Sequence, residues 1–122
     1  MAGDGKHILL VEDDDDVRGA LVAVLEASGY RVVAATHGRE ALQHLRSALP
    51  VCIVLLDLWM PVMNGFEFRA EQMKDPALAA VPVVVITADR TAARRAADLG
   101  VLAWMTKPIE FEELLAILEQ HC

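Results

Sequence analysis

The 122-residue chain has little of what stabilises very small domains or marks secreted and membrane proteins. It has two cysteines, too few for a disulfide framework. Cys52 falls inside an apolar run and Cys122 is the last residue, so no bridge between them is expected. The reading is two free thiols in a reducing, cytoplasmic setting. No apolar stretch reaches the roughly 18 residues of a membrane span. Residues 1–6 are polar and short, which excludes a signal peptide and suggests a flexible lead-in. Positive charge is also scarce. Lys and Arg number 11 against 18 Asp and Glu, a net charge of −7, which argues against nucleic-acid binding through the phosphate backbone. Pro, Gly and aromatic residues are few, and no repeat or low-complexity linker divides the chain. The expectation is one domain over residues 1–122, and a hydrophobic fraction of 55% is ample for its core.

Apolar runs alternate with amphipathic stretches about five times. Strands are expected at about Lys6–Val11, Tyr30–Ala35, Val51–Leu56, Pro82–Ile86 and Val101–Met105. Helices are expected at about Asp15–Ser28, Arg39–Ala48, Gly65–Met73, Thr91–Leu99 and Glu110–Gln120. In the first helix Val17, Ala20, Leu21, Val24 and Leu25 fall on one face. Asp14 to Asp16 supply its cap and first-turn acids, and Gly29 its stop. The third helix is assigned a face of Phe66, Ala70 and Met73, and the last one of Phe111, Leu114, Leu115 and Leu118. Val51–Leu56 is apolar throughout, as a parallel strand covered on both faces is. The second strand contains Arg31 and reads as an edge. Such alternation gives an α/β fold, an open parallel sheet with helices on both faces.

Ligands on such sheets bind outside the carboxyl ends of the strands. Glu12 and Asp13 end the first strand, Asp57 the third, Thr87 the fourth, and Lys107 follows the fifth. Carboxylates gathered at one edge repel, and each resists ionising beside the others. A bound cation and an incoming phosphoryl group would account for them. Mg²⁺ takes oxygen ligands and keeps several waters, so Asp13 and Asp57 are the candidate direct ligands and Glu12 a ligand through water. An aspartate carboxylate can attack phosphorus to form an acyl phosphate. Asp57 is the candidate nucleophile, with the cation, the Lys107 ammonium and the Thr87 hydroxyl covering three phosphoryl oxygens. No general base is evident, which requires an activated donor such as a phosphohistidine or a small acyl phosphate. His7, His37, His44 and His121 are scattered and have no partner at ligand spacing.

Leu9-Leu10-Val11-Glu12-Asp13-Asp14, Leu55-Leu56-Asp57-Leu58-Trp59-Met60-Pro61 with Asn64-Gly65, Ile86-Thr87-Ala88, and Trp104-Met105-Thr106-Lys107-Pro108 resemble the receiver domains of two-component response regulators, of the chemotaxis-regulator type. The resemblance runs from about residue 7 to 120. It implies a flavodoxin-like, doubly wound five-stranded sheet in the order 2-1-3-4-5; a regulator of this family is itself a standard example of that order. It implies that Asp57 takes a phosphoryl group from a histidine kinase or histidine phosphotransfer protein. The cation would be Mg²⁺, held by Asp13, Asp57 and the Trp59 carbonyl, with Glu12 acting through water. It further implies a cis Lys107–Pro108 bond, and a switch in which Thr87 and Trp104 move together. Trp104 is bulkier than the tyrosine or phenylalanine usual there, and Glu12 replaces the more frequent aspartate. Trp59 and Asp89, two residues past Asp57 and Thr87, flank the path of attacking water.

The expected protein is therefore a signalling receiver, catalysing only its own phosphorylation and dephosphorylation. Its downstream effector would dock on the face of the fourth helix, fifth strand and last helix. The last helix has no Arg or Lys, so the charged dimer pattern of transcription-factor receivers is absent, and a monomer or weak dimer is expected, without nucleic-acid or membrane contact. Two other classes fit less well. A phosphatase running through an aspartyl phosphate needs a second acid two residues past the nucleophile, where Trp59 stands. A flavodoxin-like cofactor binder needs a phosphate loop after the first strand, where Glu12–Asp16 would repel phosphate.

Overall fold

The computed structural model describes residues 5–122; residues 1–4 of the expected lead-in lie outside them. Five strands, β1 (His7–Val11), β2 (Arg31–Ala35), β3 (Val51–Leu56), β4 (Val83–Thr87) and β5 (Ala103–Thr106), form one parallel sheet in the order β2-β1-β3-β4-β5. Between and after them run α1 (Asp15–Ala27), α2 (Gly38–Arg46), α3 (Gly65–Met73), α4 (Pro76–Ala79), α5 (Arg90–Ala97) and α6 (Phe111–His121). The fold class and strand order are those expected, with β2 at an edge.

Strand side chains alternate between the two faces, and each face is covered. Leu9, Val11, Val54, Leu56, Val83 and Val85 pack on one side with Leu42 and Leu45 of α2 and Phe68 of α3. Ile8, Leu10, Ile53, Leu55, Val84 and Ile86 pack on the other with Leu21 and Leu25 of α1 and Leu114 and Leu118 of α6. This double cover is why the central strands read as unbroken apolar runs.

Local signals set the helix starts. Asp14 caps α1 by accepting from Val17 N at 2.9 Å, and Asp15 and Asp16 lie in its first turn. Asn64 and Glu67 form a reciprocal capping box on α3. Gly29 ends α1 at φ +92°.

Three expectations are corrected. The buried face of α3 is Phe68, Arg69 and Gln72, while Ala70 and Met73 are exposed. Apolarity misleads here because Arg69 and Gln72 are satisfied inside. Arg69 donates to the Leu99 and Gly100 carbonyls at 3.1 and 3.0 Å and to Gln72 Oε1 at 2.7 Å. Gln72 donates to the Leu78 and Val81 carbonyls. Those last acceptors belong to or follow α4, a single turn capped by Asp75 between the expected third helix and fourth strand. On α1, Leu21 and Leu25 are buried but Ala20 and Val24 are exposed, so its apolar stripe is wider than the sheet covers.

The third correction concerns cysteine. Cys52 and Cys122 are joined by a disulfide, with Cα atoms 5.4 Å apart. Cys52 is the second residue of β3, near the amino edge of the sheet. The chain leaves β5 at the carboxyl edge and α6 runs back across the face. Its eleven residues rise about 16 Å, close to the roughly 20 Å length of a six-residue strand, which returns Cys122 to Cys52. The bridge removes the argument from free thiols to a reducing compartment.

Candidate phosphoacceptor site

The acids and the lysine are held in place by continuation of the strand ladders one residue beyond the strands. Glu12 N donates to the Ala35 carbonyl at 3.0 Å, Asp57 N to the Val11 carbonyl at 3.0 Å, and Lys107 N to the Thr87 carbonyl at 2.9 Å. Each residue is thus fixed by its backbone at the carboxyl edge, and the long Lys107 side chain reaches past β4 to Asp57 and Glu12. The switch in strand order places β1 and β3 side by side, which brings Glu12 and Asp13 against Asp57.

Carboxylate oxygens of Glu12, Asp13 and Asp57 lie within 4.8 Å of one another, with Glu12 and Asp57 buried and Asp13 exposed. Lys107 Nζ enters this cluster, 2.7 Å from Glu12 Oε1 and 3.3 Å from Asp57 Oδ2. Burial works against the Lys107 charge. The hydrogen bond to Glu12 and the fields of Asp57 and Glu12 outweigh it, and the ammonium pKa is raised. Partial burial pushes the Asp13 carboxyl up, its own backbone hydrogen bond opposes, and Glu12 beside it adds to the rise. One lysine among three acids leaves net negative charge, which a hard cation with oxygen ligands fits. The cluster thus brings together Glu12, Asp13 and Asp57 of the residues expected to bind a cation.

Thr87 is fully buried at the end of β4, and its hydroxyl accepts from Asp89 N at 3.3 Å. Trp59 N lies 3.4 Å from Asp57 Oδ1. The Trp59 ring is 47% exposed, stands tilted against Phe66 at 5.6 Å, and donates through Nε1 to Asp89 Oδ2 at 3.0 Å. Asp89 Oδ1 also caps α5 by accepting from Ala92 N at 3.1 Å. These bonds, first that of Ala92 and then that of Trp59, hold the Asp89 carboxyl below its ordinary pKa. A strut therefore crosses the mouth of the site from the loop after β3 to the start of α5. Both residues were named from the sequence; their mutual bond was not.

Three further residues shape the surroundings of the site; Arg18 and Val62 were not singled out from the sequence, and Gly65 was named there without a role. Arg18 donates to the carbonyls of Glu12 and Asp13 and pairs with Asp15, bracing the acidic loop. Its position one turn into α1 was the available signal. Gly65 has no room for a side chain, since a Cβ there would lie 2.6 Å from the Asp57 carbonyl oxygen and 2.9 Å from Leu58 Cα. The start of α3 is thereby pressed against the acceptor loop. Val62, in that loop, has φ +68° and is 64% exposed, a conformation that β-branched residues rarely adopt.

The Lys107–Pro108 peptide bond is cis. Trp104 of β5 is 42% exposed beside a cavity of about 370 Å³ lined by Met105, Thr106, Pro108, Glu110 and Glu113. On the other side of Lys107 lies an apolar groove of about 410 Å³ between Val17, Ala20, Leu21 and Val24 of α1 and Pro108, Ile109 and Phe111. Among the described residues, no helix is long and apolar enough to cross a membrane.

The family model described as response regulator receiver domain matches residues 8–119. The chain is 30% identical over 110 residues to the two-component response regulator ORR5 of Oryza sativa subsp. japonica, covering 88% of this chain and 82% of that protein. Among solved structures it is similar to the chemotaxis response regulator CheY4 of Vibrio cholerae, with a TM-score of 0.83, 28% identity, and 96% and 98% of the two chains covered. It is also similar to the receiver domain of the sensor histidine kinase PA1611 of Pseudomonas aeruginosa, with a TM-score of 0.84, 28% identity, and 96% and 97% covered. That structure has a magnesium ion coordinated in the active site cleft.

Proposed function

The chain belongs to the response regulator receiver domain family of two-component signalling, and we propose that Asp57 is its phosphoacceptor. The observation that carries this reading is the convergence of Glu12, Asp13, Asp57 and Lys107 within contact distance at the carboxyl edge of the sheet. An Asp57 carboxylate oxygen attacks phosphorus of a phosphohistidine, an O–P bond forms, the P–N bond breaks, and the imidazole leaves. Lys107 exchanges its contacts in the acidic cluster for a phosphoryl oxygen, and the Thr87 hydroxyl donates to another. Asp13, Asp57 and the Trp59 carbonyl would hold Mg²⁺, with Glu12 acting through water, and the ion would supply charge neutralisation over the phosphoryl oxygens.

The phosphodonor is a histidine kinase or histidine phosphotransfer protein. The apolar groove along α1 beside Lys107 gives a donor helix a seat next to the acceptor. Output leaves through the α5–β5–α6 face. Movement of Thr87 toward the phosphoryl group draws on β4, and exposed Trp104 on neighbouring β5 reports it by turning inward. The chain is a signalling receiver and processes no external substrate; its place is the cytoplasm with its kinase, as a monomer or weak dimer.

The test is incubation with Mg²⁺ and acetyl phosphate or beryllofluoride, followed by intact mass and tryptophan fluorescence, with Asp57→Asn as control. The expected result is Mg²⁺-dependent modification that is absent in Asp57→Asn. No modification and no response to Mg²⁺ would mean a receiver fold retained for binding alone. Turnover of a phosphate ester without net labelling would favour the phosphatase reading.

A further inference from the structure

Cys52 and Cys122 are the only cysteines of the sequence, and the bond between them spans 70 residues of chain. It lies at the opposite rim of the sheet from Asp57. Cys52 is near the start of β3, whose far end leads into the phosphoacceptor, and Cys122 directly follows α6. The bond therefore pins the end of the helix that forms one wall of the α5–β5–α6 face to the central strand.

The two cysteines differ in exposure. Cys52 is 5% exposed within the cluster of Ile8, Ile53 and Leu118, whereas Cys122 is half-buried and packs against that cluster from outside. A reductant reaches Cys122 first. The fold also accommodates the open state. The Cys52 sulfur stands 3.4 Å from the His7 carbonyl oxygen, an acceptor for a thiol S–H, and a thiol is a small apolar group that suits a core. With the bond closed, Cys122 N donates to the Leu118 carbonyl at 2.7 Å. Leu114 and Leu118 keep α6 on the sheet by burial alone, so opening the bond loosens the end of α6 without releasing the helix.

We infer that Cys52–Cys122 is a reversible redox staple that sets how firmly the end of α6 is held, opened by dithiol reductants at Cys122. A thiolate of the dithiol attacks the Cys122 sulfur, the S–S bond breaks, and Cys52 leaves as a thiolate that takes a proton. The second thiol of the reductant then attacks the mixed disulfide, releasing the Cys122 thiol. The reductant departs as its own disulfide and the protein has gained two hydrogens. This inference stands independently of phosphorylation at Asp57.

The full chain is compared after oxidation by oxidised glutathione, after reduction by dithiothreitol, and as Cys122→Ser, using maleimide labelling with intact mass and amide hydrogen exchange. The oxidised protein takes no maleimide. The reduced folded protein takes one rapidly at Cys122 and a second only on denaturation. Exchange at Leu118–Cys122 rises about tenfold in the reduced protein and in Cys122→Ser, with β1 and β3 unchanged, and reoxidation restores it. Failure of the folded protein to oxidise would overturn the inference, as would equal exchange in all three forms. Global unfolding on reduction would also overturn it, because the bond would then be a fixed crosslink. Acetyl phosphate labelling of both redox forms keeps this outcome separate from the phosphoacceptor reading.

Discussion

At the scale of single residues, Lys107 stabilises the fold and Val62 strains it. Lys107 is stabilised in its charged form by Glu12 and Asp57, so its folded pKa lies above 10.5. That contribution is fully present below 10.5 and is lost as pH rises through the higher folded value. Denaturant melts in Mg²⁺-free buffer across this window are expected to show a loss of stability in the native protein that Lys107→Met lacks. Val62 sits at positive φ with most of its side chain in solvent, so nothing is lost by removing it. Val62→Gly is expected to raise stability by about 0.5–1 kcal/mol, measured by chemical denaturation. The acids and the lysine were legible from their places at the ends of apolar runs. Val62 was not, because a positive φ is imposed by the loop closing between Asp57 and the capping box of α3.

Two elements depend on polar side chains doing what apolar ones do elsewhere. Arg69 is buried without a carboxylate and spends its donors on carbonyls just past α5 and on Gln72. Burial lowers its pKa, yet an arginine stays charged. Arg69→Met removes the donors to the part-buried Leu99 and Gly100 carbonyls and to buried Gln72 Oε1, and is expected to destabilise the fold by about 1–2 kcal/mol in denaturant melts. Asp89 caps α5 and holds Trp59 across the site mouth. Asp89→Ala is expected to cost about 1 kcal/mol of stability through the lost cap. The same change frees the Trp59 ring and shortens the lifetime of the phosphorylated form, read by the decay of intact-mass signal after removal of acetyl phosphate. Helix existence was legible from caps such as Asp14 and stops such as Gly29. The buried face of α3 was not, because hydropathy assigns Arg69 and Gln72 to solvent and cannot see carbonyls supplied from residues 78 to 100.

For the whole molecule, the long-range tie is the disulfide. Closing a loop of 70 residues restricts the unfolded chain by about 4 kcal/mol in the chain-entropy account. Reduction is therefore expected to lower the melting temperature by roughly 10–15 °C in calorimetry while leaving a cooperative transition.

The sequence by itself determined the alternation of strands and helices, the edge position of β2, and the set Glu12, Asp13, Asp57, Thr87 and Lys107. These follow from periodicity and from the rule that parallel sheets gather function at their carboxyl edge, both of which are local or topological. Only the tertiary structure decided the Cys52–Cys122 bond, the Trp59–Asp89 strut and the burial of Arg69. Each joins segments 30 to 70 residues apart. The first depends on the length and direction of α6 as it returns across the sheet and the other two on β3 lying beside β4, neither of which any window of sequence contains.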